Sequence, residues 1–265
     1  MKGRYVWAIV LVMVGLWLLL SNVGLLPGAS WGIFWAIVLI IIGVVLIVGV
    51  ARRGQVVMVD DSVPLGTASA ARLHIKHGAG RLQLQGAEGP GHLVWGTFGS
   101  GVNKTVQQLG DRLDVVLAMD AAAFADRVAS FSGQGRGYEW NVAVNSAVPV
   151  DLKLETGASD QHIDLSRVRA TRFDLTTGAS STLLVLPAAA GYTEARVSSG
   201  AAAIKITVPQ GVALRVTGSV GLGSLKVNEA RFPKAGDTYE STDFATAPNR
   251  VHLTVEGGVG SVEIF

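Results

Sequence analysis

Two different hydrophobic patterns divide this chain. From Val6 to Leu20 every residue is apolar or Gly, the run resumes as Val23-Gly24-Leu25-Leu26, and a second apolar run extends unbroken from Trp31 to Ala51. A helix needs about 20 residues to cross a hydrocarbon core of about 30 Å. Both runs are therefore expected as transmembrane helices, over about 5–26 and 31–51, joined through Pro27-Gly28-Ala29-Ser30 into a hairpin spanning 1–53. Trp7, Trp17, Trp31 and Trp35 lie mostly near the span ends, where amphipathic rings favour the headgroup zone. A cleaved signal peptide competes for the first run, because Lys2 and Arg4 resemble its basic start. Against it, a second span follows at once and no small-residue cleavage site precedes polar sequence.

After a linker over 54–65 the period falls to two. Asp151-Leu152-Lys153-Leu154-Glu155, Phe173-Asp174-Leu175-Thr176, Arg196-Val197-Ser198 and Leu214-Arg215-Val216-Thr217 alternate apolar and polar residues, as half-buried strands do. Short units recur in which Gly and small residues precede alternating apolar positions: Gly78-Ala79-Gly80 before Leu82 and Leu84, Gly157-Ala158-Ser159 before Ile163 and Leu165, and Gly178-Ala179-Ser180 before Leu184 and Leu186. Gly200-Ala201-Ala202 before Ile204, Ile206 and Val208, Gly221-Leu222-Gly223 before Leu225 and Val227, and Gly258-Val259-Gly260 before Val262 and Ile264 complete the series. The four central copies begin at Gly157, Gly178, Gly200 and Gly221, a step of about 20 residues that marks a solenoid whose units bury their apolar faces only against neighbours. A Gly at the same place in each unit suits a corner that either takes a positive φ or passes close to the next coil.

The expected fold is an all-β soluble domain, a β-solenoid or open sandwich of stacked two-strand coils, behind the two-helix hairpin. Residues 66–150 form its less regular N-terminal part and 151–265 the regular repeats. In the first part Leu73-His74-Ile75-Lys76 and Arg81 to Gln85 flank a corner, and His92 to Trp95, Arg112 to Leu117 and Tyr138 to Val144 read as strands. Asp120 to Ser130 fits a short helix or a long loop, followed by a Gly-rich loop from Ser132 to Gly137. Arg231 to Asn249 is an insertion between the last two coils, and the strand Ser261 to Phe265 closes the array.

Composition sharpens this picture. The 265 residues are 49% hydrophobic and 16% charged, with 33 Gly, no Cys and a mean hydropathy of +0.41. The excess hydropathy belongs to the hairpin, whereas the low charge persists after it. No acidic residue precedes Asp60, and Lys2, Arg4, Arg52 and Arg53 are the only charged side chains of the hairpin and its flanks. The positive-inside rule then places both termini, and the whole β domain, in the cytoplasm of a cell-membrane protein. The β domain keeps 18 Lys and Arg against all 20 acids, so it has no cationic footprint for nucleic acid. Without Cys there are no disulfides, thiolate metal sites or Cys nucleophile.

Candidate chemistry is sparse. Phe98-Gly99-Ser100-Gly101-Val102-Asn103-Lys104-Thr105 superficially resembles a phosphate loop, but a Walker A element needs Gly where Asn103 stands, and a surface turn is expected. His74 and His77, three apart on a strand, point to opposite faces and do not converge on a metal. Together with His92, His162 and His252 they are expected as exposed strand or corner residues. Asp60 and Asp61 fall in the linker, Asp111 and Asp114 border a strand, and Gly133 to Gly137 could form an anion nest but default to a flexible loop. No catalytic, cofactor-binding or metal-ligating residue is nominated, no cofactor is called for, and a non-enzymatic protein is expected.

In both parts the chain resembles the bacterial LiaF-like, or toast-rack, membrane proteins. The hairpin elements Asn22-Val23-Gly24-Leu25-Leu26 and Trp35 to Gly43, the turn from Gly78 to Leu84, the strand from Leu93 to Phe98 and the closing Gly258 to Ile264 carry the likeness. The resemblance implies a non-enzymatic membrane protein, some of whose relatives restrain a sensor histidine kinase that answers envelope stress; it supplies no active-site residues. Three functions are set out for the domain: docking on a membrane partner such as that kinase, self-association strand to strand into a membrane-tethered scaffold or adhesin-like structural protein, and, last, an enzyme.

Overall fold

The computed structural model describes residues 58–89, 91–119 and 138–265. The two expected membrane spans, the 120–130 segment and the Gly-rich loop 132–137 lie outside the described residues. Among those described, no helix is long and apolar enough to cross a membrane.

Among the described residues, thirteen strands share one sheet. Its body is a parallel ladder of six long strands: β2 (Ala70–Ala87), β7 (Val150–Asp164), β8 (Ala170–Val185), β9 (Tyr192–Thr207), β10 (Ala213–Val227) and β13 (Arg250–Ile264). Each expected two-strand coil is a single strand of 15 to 18 residues that bends at its Gly corner. The inward parity changes there. In β7, Val150, Leu152, Leu154 and Thr156 are buried before the corner, and Ser159, Gln161 and Ile163 after it. Both halves of every rung therefore face the same hydrophobic cluster, which runs from Leu73 and Leu82 through Leu152, Phe173, Leu184 and Ile204 to Ile264.

Close approach is what the first glycine of each corner supplies, while Gly80 and Gly260, two residues further on, also take a positive φ of 112° and 127°. A β-carbon on Gly258 would stand 2.6 Å from the Gly200 carbonyl oxygen, on Gly178 3.0 Å from that of Gly157, and on Gly200 3.0 Å from that of Gly178. On Gly157 it would sit deeper still, against the carbonyl of Gly78. The residues that follow then stack in register, Ala79 on Ala158, Ala179 and Ala201.

The two ends of the ladder differ from the simplest expectation. At the β2 end the next rung is split between β5 (Arg112–Met119), beside the first half of β2, and β6 (Glu139–Asn145), beside the second. The two halves then continue separately: β4 (Val102–Leu109) adds antiparallel to β5, while β3 (His92–Gly99) adds antiparallel to β6 and β1 (Met58–Pro64) antiparallel to β3. Part of the stretch expected as a linker is thus an edge strand, since the outer side of β3 needs a hydrogen-bonding partner and β1 provides it. Lys104 of β4 reaches Asp61 of β1 at 2.6 Å and joins the two branches.

At the other end the chain order is broken. The C-terminal strand does not close the array: β13 lies between β9 and β10, parallel to both, and β10 is the last long rung. Residues 228–249 give the chain enough length to pass back over β10, and they add β12 (Thr238–Glu240) and β11 (Lys234–Ala235) beside the first half of β10. Charge favours the inserted order. Glu263 of β13 stands between Lys205 of β9 and Lys226 of β10, which would otherwise be directly opposed.

Placing a methyl group into the corner tests this packing. Gly157→Ala should lower unfolding stability by about 2 kcal/mol or more, and Gly178→Ala by about 1 kcal/mol, because the first meets the neighbouring carbonyl more closely. Denaturant midpoints of the two variants measure the difference; equal, negligible losses would show that the corners are not close-packed.

Candidate functional site

Strand register sets the outward side chains in rows across the ladder. One row reads Asp114, Arg72, Asp151, Arg172, Glu194, His252, Arg215 and Glu240, each facing the next on neighbouring strands from β5 to β12. A register shift between Val150 and Asp151 brings Arg172, rather than Thr171, opposite Asp151. Contacts follow the row: Arg72 to Asp151 at 3.3 Å, Arg172 to Glu194 at 2.9 Å and Arg215 to Glu240 at 2.6 Å. Hydrogen bonding from Arg215 holds the Glu240 carboxyl below its ordinary range. The next row sets Lys153 against Asp174 and Asp174 against Arg196. Exposed pairs of this kind add little to stability one by one; their larger effect is on register, because a shifted pairing opposes like charges.

Beside these rows, Glu155 lies 2.6 Å from Lys153, 3.2 Å from His74 and 3.9 Å from Lys76. The Lys153 hydrogen bond leads in lowering the Glu155 pKa. Burial lowers that of His74 despite the nearby carboxylate. Where β8, β9, β13 and β10 turn their corners, an open groove of about 370 Å³ is lined by Thr176, Thr177, Ser198, Ser199, Ser219 and Glu256, with glycine backbone between them. It offers hydroxyls and one exposed carboxylate to a polar partner.

Behind the corner is a buried polar cluster. Thr156 donates to Thr177 at 2.9 Å, and the Gln161 amide nitrogen lies 2.8 Å from Thr156 Oγ1, 2.8 Å from Ser159 Oγ and 3.0 Å from Thr177 Oγ1. His77 belongs to the same inward row and is only 1% exposed, which corrects its expected place on the surface. Inward parity holds as far as the corner, so the ring follows Leu73 and Ile75 into the core, 5.3 Å from Trp140 with Nε2 3.0 Å from the Tyr138 carbonyl oxygen. Its Nδ1, like Gln161 Oε1, has no hydrogen-bond partner among the described residues. Burial lowers the His77 pKa more than the Tyr138 carbonyl raises it.

The other sequence candidates separate cleanly. Phe98 to Thr105 is the end of β3, a turn at Ser100 and Gly101 and the start of β4, with Lys104 engaged by Asp61 and the Ser62 carbonyl. That hydrogen bond from Lys104 lowers the Asp61 pKa. Asp111 accepts from Ser69, and Asp114 pairs with Arg112 and Arg72. His74 and His77 do face opposite ways, His92 and His162 are exposed, and His252 is half-buried in the charged row. Among the described residues no three His, Asp or Glu side chains gather as a metal-binding set. Gln161, Thr156 and Thr177 were not singled out from sequence; their signal is polarity at positions whose alternation belongs to the core.

A parallel rack of bent strands with small-residue corners defines the class: a repetitive all-β domain of toast-rack type. Residues 52–207 match the family described as the N-terminal domain of toast_rack, DUF2154, and the chain belongs to that family. Among solved structures, a proposed cell adhesion protein from Clostridium sporogenes superimposes with a TM-score of 0.69 at 18% identity, over 79% of this chain and 99% of that one, which shows a shared fold. A proposed adhesin from Bacteroides fragilis gives a TM-score of 0.31 at 10% identity over 80% and 98%, too low to carry an argument. No curated protein matches the chain.

The buried ring makes stability depend on pH. His77 ionises less readily folded than at its ordinary value of 6.5, so the unfolded chain takes up the proton first as pH falls. Stability should be full above pH 6.5, decline as pH drops through that value, and level off once the folded ring also protonates; His74 acts in the same direction. Thermal unfolding at pH 7.5 and 5.5 measures this, and His77→Leu should flatten the His77 share of the decline.

Proposed function

We propose that the chain is a non-enzymatic membrane protein, anchored by its N-terminal hairpin, whose rack serves on the cytoplasmic side as a rigid, adhesin-like docking scaffold for a protein partner. The supporting observation is the ladder of outward rows. Six parallel rungs hold Arg, Lys, Asp and Glu in fixed alternation over a continuous core, so a partner meets a surface whose charges are already ordered. Little side-chain entropy remains to be lost on binding, and complementary charge selects the partner. Such a role uses binding alone and calls for no cofactor. The adhesion named for the Clostridium sporogenes protein points the same way, toward binding rather than turnover. The family resemblance names one class of partner, an envelope-stress sensor kinase; the described residues favour no particular partner, so the scaffold reading stands first.

Two measurements test the proposal. The full chain should resist alkaline extraction from membranes, and a reporter fused after Phe265 should be active only inside; an extractable chain or an outward-active reporter overturns the anchoring or the sidedness. A photo-cross-linker at Lys153 should give one discrete adduct in native membranes, weakened several-fold by Arg172→Glu in the neighbouring row. An adduct-free face overturns docking there, and an adduct identified as a histidine kinase selects the signalling role.

A further inference from the structure

The last rung is covered along only half its length. Residues 215–217 of β10 pair with β12, but beyond its corner β10 has β13 as its partner on one side and none on the other among the described residues. Asn228 N donates to Ile264 O at 2.9 Å, so by strand alternation Asn228, Lys226 and Ser224 hydrogen-bond toward β13. The N–H and C=O groups of Gly223, Leu225 and Val227 therefore face the open side. The core is uncovered at the same place: Leu225 and Val227 are half-buried, whereas Val262 and Ile264 beside them on β13 are each 1% exposed. The corner row that carries Ala in earlier rungs ends in Val259 and then Leu222, 51% and 75% exposed. Among the described residues nothing covers this edge, and its own sequence has no Pro and one charge, Lys226.

We infer that this half-edge, Gly221 to Val227, is a self-association site at which a second copy of the chain pairs antiparallel about a two-fold axis through Ser224. That register uses the whole half-edge. Gly223 faces Leu225 of the second copy and Leu225 faces its Gly223, so the open backbone groups are exchanged as hydrogen-bonded pairs. Lys226 falls opposite the exposed Leu222 instead of another Lys, and its aliphatic stem can cover that side chain. Each copy brings Leu225 and Val227 to the level where the core of the other is open, so like closes on like, as an isologous interface requires. Head-to-tail growth is disfavoured, because the opposite end of the rack is tied across by the Lys104–Asp61 pair and carries the polar outer strand β4. A lipid surface is disfavoured because it could not pair the open N–H and C=O groups of Gly223, Leu225 and Val227. Seven paired residues bury less than the roughly 800 Å² per partner of a stable complex, so the pair is weak and forms where the chain is concentrated.

The absence of Cys makes the test direct. In full-length protein in native membranes, Ser224→Cys should oxidise to a covalent dimer, while Thr105→Cys on exposed β4 should remain monomeric. Adding Leu222→Lys, which opposes Lys226, should reduce the dimer at least about fivefold, and Leu222→Glu should preserve or raise it. A monomeric Ser224→Cys, equal dimer from Thr105→Cys, capture of a different protein at Ser224→Cys, or equal yields from the Lys and Glu variants would each overturn the inference. This inference deepens the scaffold reading without depending on sidedness. A failed cross-link in a chain that still resists extraction removes the self-association alone, whereas an extractable chain removes the anchoring alone.

Discussion

At each corner of the rack, the carbonyl oxygen of one glycine points at the place where the next glycine's β-carbon would be. This close backbone approach lets strands of 15 to 18 residues bend together without leaving the hydrogen-bonded ladder. Were the corners wider, the two halves of a rung would splay and the apolar rows on their inner sides would lose contact. Were only one corner wider, register would slip, and a slip of one residue in a strand exchanges its inner and outer faces. The stacked Ala residues beside the glycines, and the continuous core inside, both follow from that spacing.

Register, once set, determines the surface. The alternation of Asp151, Arg172 and Glu194, or of Lys153, Asp174 and Arg196, is scattered in sequence and becomes a row only when rungs are stacked. Each contact is weak, but the set opposes every shifted pairing. The same logic applies to the C-terminal strand. Inserted between β9 and β10, it separates Lys205 from Lys226 with Glu263 and has hydrogen-bonding neighbours on both sides, whereas β10 is left as the rung with half an edge exposed.

The corner also explains why polar groups enter the core at all. His77 and Thr156 hold the last inward positions before the parity changes, and Ser159 and Gln161 the first inward positions after it, where the backbone of the bend lies close. Thr156, Thr177 and Gln161 hydrogen-bond one another, while His77 bonds the Tyr138 carbonyl and packs on Trp140. The result is a rigid interior with a titratable group in it, beneath a surface of ordered charge. A molecule built in this way suits recognition, in which the geometry of many fixed side chains matters more than the reactivity of a few.

Much of this was legible in the residues. Alternation at period two, recurring Gly with Ala or Ser, and a step of about 20 residues require strands stacked as repeats, because such units cannot cover their apolar faces alone. Two things escaped the same pattern. The burial of His77 continues the alternation of Leu73 and Ile75, but a polar ring beside a Gly corner reads as a surface residue until Trp140 and the Tyr138 carbonyl are found around it. The order of the last rungs depends on where residues 228–249 lead the chain, and local pattern is the same whether a strand lies last or next to last. Sequence by itself thus determined the repeat, its strand character and its inward rows, all consequences of local alternation and residue size. Only the tertiary structure decided which strands are neighbours, and hence which edge stays open, because hydrogen bonding and charge pairing between rungs act across distances that the chain's own order does not specify.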